Sequence, residues 1–350
     1  MSDYFKTRKR NTLAKLRQIR EDLPDFCDQF FIGIEPQTTE LTRLNYAYDL
    51  RLFFYYLSTA TKAFRDRAPV SFTLGDMERV TMTQLEGYIE WLTSYMYNGK
   101  QCSNEERGKA RKLSTVRTLF KYLFNKGLLP SNVASKIPLP KLHDKEIIRL
   151  EVDEVANMLD TVDSGEGLTK HSQDFHEKTK QRDNAIVTLL LGTGIRVSEC
   201  VGLNVSDIDF NSNAFTVTRK GGSKTILYFG NEVSFALSDY IDGERKKIKD
   251  KQDEDALFLS LQKKRICVRA VENLVKKYAK IITPLKQISP HKLRSTFGTN
   301  LYQATSDIYM VADVLGHRDV NTTKRHYAAI SDEHRRKAAS VIVLRDDKND

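Results

Sequence analysis

Cysteine is scarce in this sequence: there are four among 350 residues, and no two of them form a C-x-x-C pair. Neither a disulfide framework nor a structural zinc site is therefore expected. Apolar runs are short as well, and none reaches the roughly 18–20 residues that a membrane-spanning helix needs. The first part of the chain is basic and lacks the apolar centre of a signal peptide. We accordingly expect a cytoplasmic protein that does not act in a membrane.

Hydrophobic residues make up 40% of the sequence, and its length allows two domains that each have a core. Basic residues exceed acidic residues, which gives a formal net charge of +10. A surplus of this sign favours a polyanionic partner, with nucleic acid the first candidate. Charge alone does not identify that partner, whereas particular residues can.

The first part of the sequence predicts helices. Residues 1–37 form a basic N-terminal extension, and residues 38–135 contain three amphipathic segments, separated in part by a polar loop at residues 98–108. The third segment, residues 107–126, has apolar residues at helical spacing and a basic opposite face. That face is either simply solvated or binds phosphate groups. It consists of Lys109, Arg111, Lys112, Arg117 and Lys121.

Prolines mark a boundary after this helical region. Pro138 and Pro140 keep the chain extended, and Lys141 is one of several lysines that make the segment basic. We place a linker at residues 136–148 and a second domain at residues 149–330. The second domain combines predicted helices with a single predicted β-hairpin.

Residues 163–182 are polar, highly charged and nearly free of apolar side chains. They include His171 and His176, but no cysteine or cluster of acidic ligands accompanies these two histidines. A metal site is therefore not expected in this segment. We interpret it as a solvent-exposed loop or an exposed helix.

Residues 287–330 contain four side chains suited to chemistry on a phosphate. His291 and Arg294 follow Ser289 and Pro290, a pair that is typical of a helix start. Because positions three apart share a helix face, the imidazole and the guanidinium can point at one substrate.

The second half of that stretch adds the other two groups. A short helix at residues 307–315 is predicted to end at Gly316, and His317 follows on the turn. Tyr327 lies in a further predicted helix. Guanidinium groups bind two phosphate oxygens at once, so their combination with imidazoles and a phenol indicates phosphate chemistry.

From about residue 38 to residue 330, the sequence resembles the tyrosine recombinase (phage integrase) family. Four pieces carry the resemblance, in the family's order and spacing: TGIRVSE at residues 193–199, HKLR at 291–294, LGH at 315–317, and Tyr327 ten residues after that histidine. The resemblance implies a mainly α fold. A helical N-terminal core-binding domain of the SAM-like type would clamp DNA. A mixed α/β catalytic domain of the DNA breaking-rejoining type would carry a small antiparallel sheet.

The resemblance also implies catalytic roles. Arg196 and Arg294 would bind the two non-bridging oxygens of a DNA phosphate. Tyr327 would attack the phosphorus and form a covalent 3′-phosphotyrosyl link. His291 would take or relay the proton of the phenol, and His317 would hydrogen-bond the phosphate.

One lysine at the tip of the predicted hairpin would protonate the leaving 5′ oxygen. Lys220 lies at the offset from Arg196 that Xer-type members show, whereas Lys224 fits the longer offset of Cre-like members. We therefore predict Lys220 as the acid and keep Lys224 as the alternative. Glu199 would orient a neighbouring side chain rather than transfer a proton.

The function implied is that of a site-specific recombinase acting on double-stranded DNA recombination sites. It would work as a homo-tetramer on two sites, with no metal, ATP or other cofactor, and the tail at residues 331–350 would be exchanged between protomers. A type IB topoisomerase and a non-catalytic DNA-binding protein are the alternatives. The layout is similar to that of Xer-type recombinases, although residues 163–182 and the spacing to Tyr327 also suit a simple mobile-element integrase. The sequence identifies neither the DNA target nor a regulatory protein partner.

Overall fold

The computed structural model describes residues 3–141, 147–219 and 222–316, together with residues 320 and 323. The chain divides into two compact units, one before and one after residues 142–146. Within the described ranges, no helix is both long and apolar enough to span a lipid bilayer.

The first unit is a helical bundle with one small hairpin. Three of its helices begin at a threonine whose hydroxyl accepts a hydrogen bond from a backbone N–H of the first turn: Thr39, Thr73 and Thr81. The elements in chain order are α1 (Asp3–Arg20), α2 (Phe26–Gly33), α3 (Glu40–Ala60), α4 (Leu74–Glu78), α5 (Met82–Trp91), β1 (Tyr95–Tyr97), β2 (Lys100–Cys102) and α6 (Glu106–Asn125).

Aromatic rings fill the core of the first unit. Phe53 lies edge-on to Tyr88 with 5.2 Å between ring centroids, and both side chains are fully buried. Leu16 of α1 and Phe30 of α2 belong to the same core. The segment before residue 38, which the sequence predicts as a basic extension, is therefore packed into the same bundle.

The β1–β2 hairpin replaces part of the loop predicted at residues 98–108. Tyr95 pairs with Cys102 and Tyr97 with Lys100 in antiparallel register. The turn between them has φ of 50° at Asn98. Gly99 follows with φ of 73°, so both central residues are left-handed, as in a tight two-residue hairpin turn.

The second unit is mostly helical and contains a three-stranded antiparallel sheet of order β3-β4-β5. In its register Phe215 lies opposite Leu227, and both face the core. The elements are α7 (Val152–Ser164), α8 (Lys170–His176), α9 (Lys180–Thr193), α10 (Val197–Cys200), β3 (Ile208–Asp209), β4 (Ala214–Thr218), β5 (Lys224–Tyr228), α11 (Asn231–Tyr240), α12 (Val268–Ile282), α13 (Pro290–Thr305) and α14 (Ile308–Leu315).

Helix α9 is the centre of the second unit. Its residues from Ala185 to Leu190 are all buried, including Thr188, whose hydroxyl donates to Asn184 Oδ1 at 3.0 Å, and α7, α11 and α13 pack against it. A helix segment that is buried on all sides has to be surrounded in this way. The mainly helical fold with a small antiparallel sheet confirms the predicted fold class.

Residues 163–182 are only partly the exposed segment that their polarity predicted. They include α8 and the start of α9, and His176 is buried with 1% of its surface exposed. Its Nδ1 atom lies 3.0 Å from the hydroxyl of Tyr278 on α12. This hydrogen bond holds the segment against the core, whereas the neighbouring Phe175 points to solvent.

Candidate active site

Arg196 lies at the start of a very short helix. The C-cap of helix α9 is Gly194, whose φ of 61° is left-handed and lets the chain reverse. Two residues later, Arg196 caps α10. Its backbone N–H donates to Glu199 Oε2 at 2.9 Å, and its Nη1 donates to Glu199 Oε1, also at 2.9 Å. Glu199 therefore fixes both the backbone and the guanidinium of Arg196.

Arg294 enters the same region from α13, which begins as predicted with Ser289 as cap and Pro290 in its first turn. Its Nη1 donates to the carbonyl of Gly194 at 2.6 Å, and its Nη2 donates to the carbonyl of Leu315. Arg294 is 4% exposed, whereas His291 one turn earlier is exposed. Although His291 and Arg294 are three positions apart on one helix, the side chain of Arg294 is buried and that of His291 is exposed.

Both arginines donate hydrogen bonds to carbonyl groups at the carboxyl end of helix α14. The N-cap of this helix is Asp307, whose carboxylate accepts from two backbone N–H groups, and its C-cap is Gly316 with φ of 63°. Arg196 Nη2 donates to the carbonyl of Gly316 at 3.3 Å, one residue after the carbonyl that Arg294 contacts. The last carbonyls of a helix lack intrahelical partners and carry partial negative charge, so cations are favoured there.

A third arginine, which the sequence did not single out, joins this cluster. Arg219 follows β4 and donates to the carbonyls of Leu315 at 3.1 Å and Val314 at 2.9 Å. Its Nη1 also lies 3.6 Å from Glu199 Oε2. Burial lowers the pKa of Arg219, and the neighbouring Glu199 carboxylate opposes that shift. No periodicity or spacing in the sequence indicates this contact, because its partners are 95 or more positions away.

Three of the predicted catalytic residues, Lys220, His317 and Tyr327, lie outside the described residues. Lys224 is described: it is exposed, it opens β5, and it lies opposite Thr218 in the sheet. The assignment of Lys220 rather than Lys224 as the acid stays a prediction.

The predicted DNA-contacting side chains of α6 fall into two groups. Arg111 forms an ion pair with the buried Asp49, and Lys112 donates to Asn104 Oδ1 at 2.6 Å. Both cations are therefore engaged within the first unit. Lys121 is exposed, Arg117 and Lys109 are half-buried, and Lys141, beyond the helix, is exposed.

A groove of about 330 Å³ lies beside α6 in the first unit. Arg117 and Lys121 line it together with hydroxyl and amide groups, all of which are donors to phosphate oxygens. The other lining residues are Ser114, Thr118, Asn132, Ser135 and Leu139. The groove therefore combines positive charge with hydrogen-bond donors on one surface.

Comparison with known proteins assigns the chain to a family. Residues 149–334, more than half of the chain, match the phage integrase family. The tyrosine recombinase XerC of Caldanaerobacter subterraneus subsp. tengcongensis is 33% identical over 309 residues, covering 85% of this chain and 80% of that protein. The tyrosine recombinase XerS of Streptococcus agalactiae serotype III is 29% identical over 350 residues, covering 92% of this chain and 97% of that protein.

Solved structures show the same fold at low sequence identity. The XerH recombinase bound to palindromic difH substrate, a post-cleavage complex, has a TM-score of 0.62 and 18% identity, covering 87% of this chain and 81% of that chain. The Tn1549 transposon integrase with circular intermediate DNA has a TM-score of 0.60 and 19% identity, covering 90% and 99%. The chain belongs to the phage integrase family. It is a site-specific recombinase of the tyrosine type, a family that cuts and rejoins DNA through a phosphotyrosyl intermediate.

Proposed function

We propose that Arg196 and Arg294 bind the scissile phosphate of a DNA recombination site and that Tyr327 attacks it. One observation carries this assignment: the two arginines are 98 positions apart in sequence, yet they donate to the carbonyls of the adjacent residues Leu315 and Gly316. Two guanidinium groups held at one helix end can bind the non-bridging oxygens of a single phosphate.

The reaction exchanges one phosphate ester for another. The phenol oxygen of Tyr327 forms a bond to phosphorus, and the bond from phosphorus to the 5′ oxygen of the next nucleotide breaks. His291 accepts or relays the phenol proton, and His317 hydrogen-bonds the phosphate. Lys220 gives a proton to the leaving 5′ oxygen, which becomes a hydroxyl. Attack by a different 5′ hydroxyl reverses these steps and joins a new strand.

The arginines contribute because charge builds up on the phosphate oxygens in the transition state. Donors held in position before the reaction are typically worth about 10²–10³ in rate each. Glu199 supports one of them, since it contacts both the backbone and the guanidinium of Arg196. We therefore assign Glu199 an orienting role.

The first unit is proposed to bind the DNA duplex. Arg117 and Lys121 would contact phosphates from the groove along α6, and Lys109 and Lys141 would extend this contact. Such contacts release counterions, and each adds about 0.9 to the slope of log affinity against log salt on duplex DNA. Binding should therefore weaken steeply as salt rises.

We further propose that the working assembly is a cytoplasmic homo-tetramer on two DNA sites, in which residues 331–350 dock into a neighbouring protomer. These residues lie outside the described part of the chain. Deleting residues 338–350 should leave single-site binding intact but weaken the pairing of two sites and lower recombination. Equal pairing and recombination by the truncated chain would show that the tail is an ordinary intramolecular element.

The central assignment is tested with a nicked suicide duplex. Duplexes that the protein binds are first selected from a randomised pool, and the nick is then placed so that cleavage releases a short fragment and traps the adduct. The wild-type chain should give a protein–DNA adduct on a denaturing gel. Tyr327→Phe removes only a hydroxyl, so it should bind the same duplex and give no adduct. An adduct formed by this variant would rule out Tyr327 as the nucleophile.

A further inference from the structure

We propose that Arg219 is a positioning residue of the recombination reaction: it fixes the carboxyl end of α14 against Glu199. In this way it sets where Arg196 and Arg294 present their guanidinium groups. The inference rests on the proposed phosphate-binding role of those two arginines. Arg219 does not itself need to touch the DNA.

Arg219 is placed to act on the end of α14. Its Nη1 and Nη2 donate to the successive carbonyls of Leu315 and Val314, at 3.1 and 2.9 Å. The planar fork of a guanidinium can make both bonds from one side chain, which an ammonium group cannot do with the same geometry. The Leu315 carbonyl also accepts from Arg294, so a shift of this carbonyl would move Arg294 with it.

The guanidinium of Arg219 also packs closely against the backbone at the end of α14. Gly316 has φ of 63°, and a Cβ atom at this position would lie 2.8 Å from Arg219 Cζ. The absence of a side chain at Gly316 therefore allows the guanidinium to lie against the helix end. On the other side, the backbone N–H of Arg219 donates to the carbonyl of Ser223 at 2.8 Å. Arg219 thus joins the end of β4 to the end of α14.

The same side chain also affects Arg196 through Glu199. The Glu199 carboxylate is 4% exposed and lies between the two cations, with Arg196 on Oε1 at 2.9 Å and Arg219 near Oε2 at 3.6 Å. A buried carboxylate is costly unless it is paired. Without Arg219, Glu199 would lose one of these two partners, and the geometry in which it holds Arg196 would relax.

A buried arginine on carbonyl groups can also be purely structural, and the second unit contains a matched example. Arg245 is 9% exposed, as is Arg219, and it donates to the carbonyls of Glu254, Ala256 and Leu257. It contacts none of the site residues described above. Arg245→Gln therefore reports what the loss of a buried arginine costs the fold alone.

The experiment compares four variants of the full chain: Arg219→Gln, Arg219→Lys, Arg245→Gln and Arg196→Ala. Cleavage of the nicked suicide duplex is followed under single-turnover conditions at saturating protein, together with duplex affinity and thermal stability. Rates are measured well below the lowest melting temperature, so that every variant is folded.

We expect Arg219→Gln to bind the duplex with nearly wild-type affinity and to cleave it about 100-fold more slowly, the scale on which small misplacements of reacting groups act. Arg219→Lys keeps the charge near Glu199 but not the fork, so its rate should fall in between. Arg245→Gln should lose stability to a similar degree and keep its cleavage rate. If Arg219→Gln does not fold, the cleavage rates of Arg219→Lys and Arg245→Gln are compared instead. A slower rate for Arg219→Lys alone supports the positioning role.

One outcome would overturn the positioning role of Arg219, and another would overturn the proposed phosphate site. If Arg196→Ala abolishes cleavage while both Arg219 variants cleave at the wild-type rate, or slow down only as much as Arg245→Gln, Arg219 has no positioning role. If Arg196→Ala itself cleaves at the wild-type rate, the proposed phosphate site is wrong, whatever the Arg219 variants do.

Discussion

The Nδ1 atom of the buried His176 lies 3.0 Å from the hydroxyl oxygen of Tyr278, inside the second unit. The same hydroxyl donates to Asp183 Oδ2 at 3.1 Å. Burial and the nearby Asp183 carboxylate hold the pKa of Tyr278 well above its ordinary value, so the phenol stays a neutral donor. One hydroxyl therefore connects an imidazole on α8 to a carboxylate on α9.

Replacing Tyr278 with phenylalanine should destabilise the second unit. The change keeps the ring but removes the hydrogen bonds to His176 and Asp183, and unsatisfied buried groups of this kind cost about 1–3 kcal/mol. Tyr309→Phe is the matched control, because that tyrosine is 70% exposed and its loss should cost less than about 0.5 kcal/mol. Urea unfolding would compare the two. Equal midpoints for both variants would show that the buried hydroxyl contributes nothing.

Asp49 should make the stability of the first unit depend on pH. Burial raises the pKa of its carboxyl above the ordinary 3.8, against the opposing effect of Arg111. The folded state then binds the proton more tightly than the unfolded state. The stabilisation from this group is therefore complete below pH 3.8 and is lost as the pH rises through the folded-state pKa.

Unfolding free energies measured from pH 3.8 upward to neutrality test this expectation. The advantage of the wild-type chain over Asp49→Asn should shrink as the pH rises. Arg111→Ala removes the cation that lowers the pKa of Asp49, so the loss should extend to higher pH in that variant. A wild-type advantage that grows with pH would contradict the assigned sign.

Lys121 should contribute to DNA binding through a phosphate contact. Lys121→Ala is expected to weaken duplex binding and to reduce the slope of log affinity against log salt by about 0.9. Lys62→Ala removes the same charge from an exposed position of the same unit that does not line the groove. Its slope should match the wild type. Equal slopes for all three proteins would remove Lys121 from the DNA interface.

The general acid should be Lys220. A duplex whose 5′-bridging oxygen is replaced by sulfur has a leaving group that needs no proton, so it should restore cleavage to the variant that lacks the acid. We expect rescue of Lys220→Ala, whereas Lys224→Ala should cleave the ordinary and the sulfur duplex about equally. Rescue of Lys224→Ala alone would reverse the assignment.

Much of the site follows from local sequence signals. Ser289 and Pro290 start α13, and Gly316 ends α14, because the backbone at each position has a strong conformational preference. The β1–β2 hairpin could also have been predicted, since Asn98 and Gly99 form the most typical pair for a two-residue turn.

Long-range contacts could not be predicted in the same way. The role of Arg219 depends on α14, whose contacting residues lie 95 and 96 positions later. The burial of His176 depends on Tyr278, and composition gave the opposite expectation for its segment. Pairings of this kind arise from the packing of whole elements, which a single sequence does not display.

The arginine contacts at the end of α14 have one more consequence. Val314, Leu315 and Gly316 receive these hydrogen bonds through main-chain oxygens, which every amino acid possesses. For such a contact there is no acceptor side chain to exchange, so a charge swap or a compensating substitution cannot rebuild it. What selection and design can change is the path of the backbone. Insertions, deletions and residues that alter φ near these positions should therefore be tolerated far less than ordinary side-chain replacements beside them.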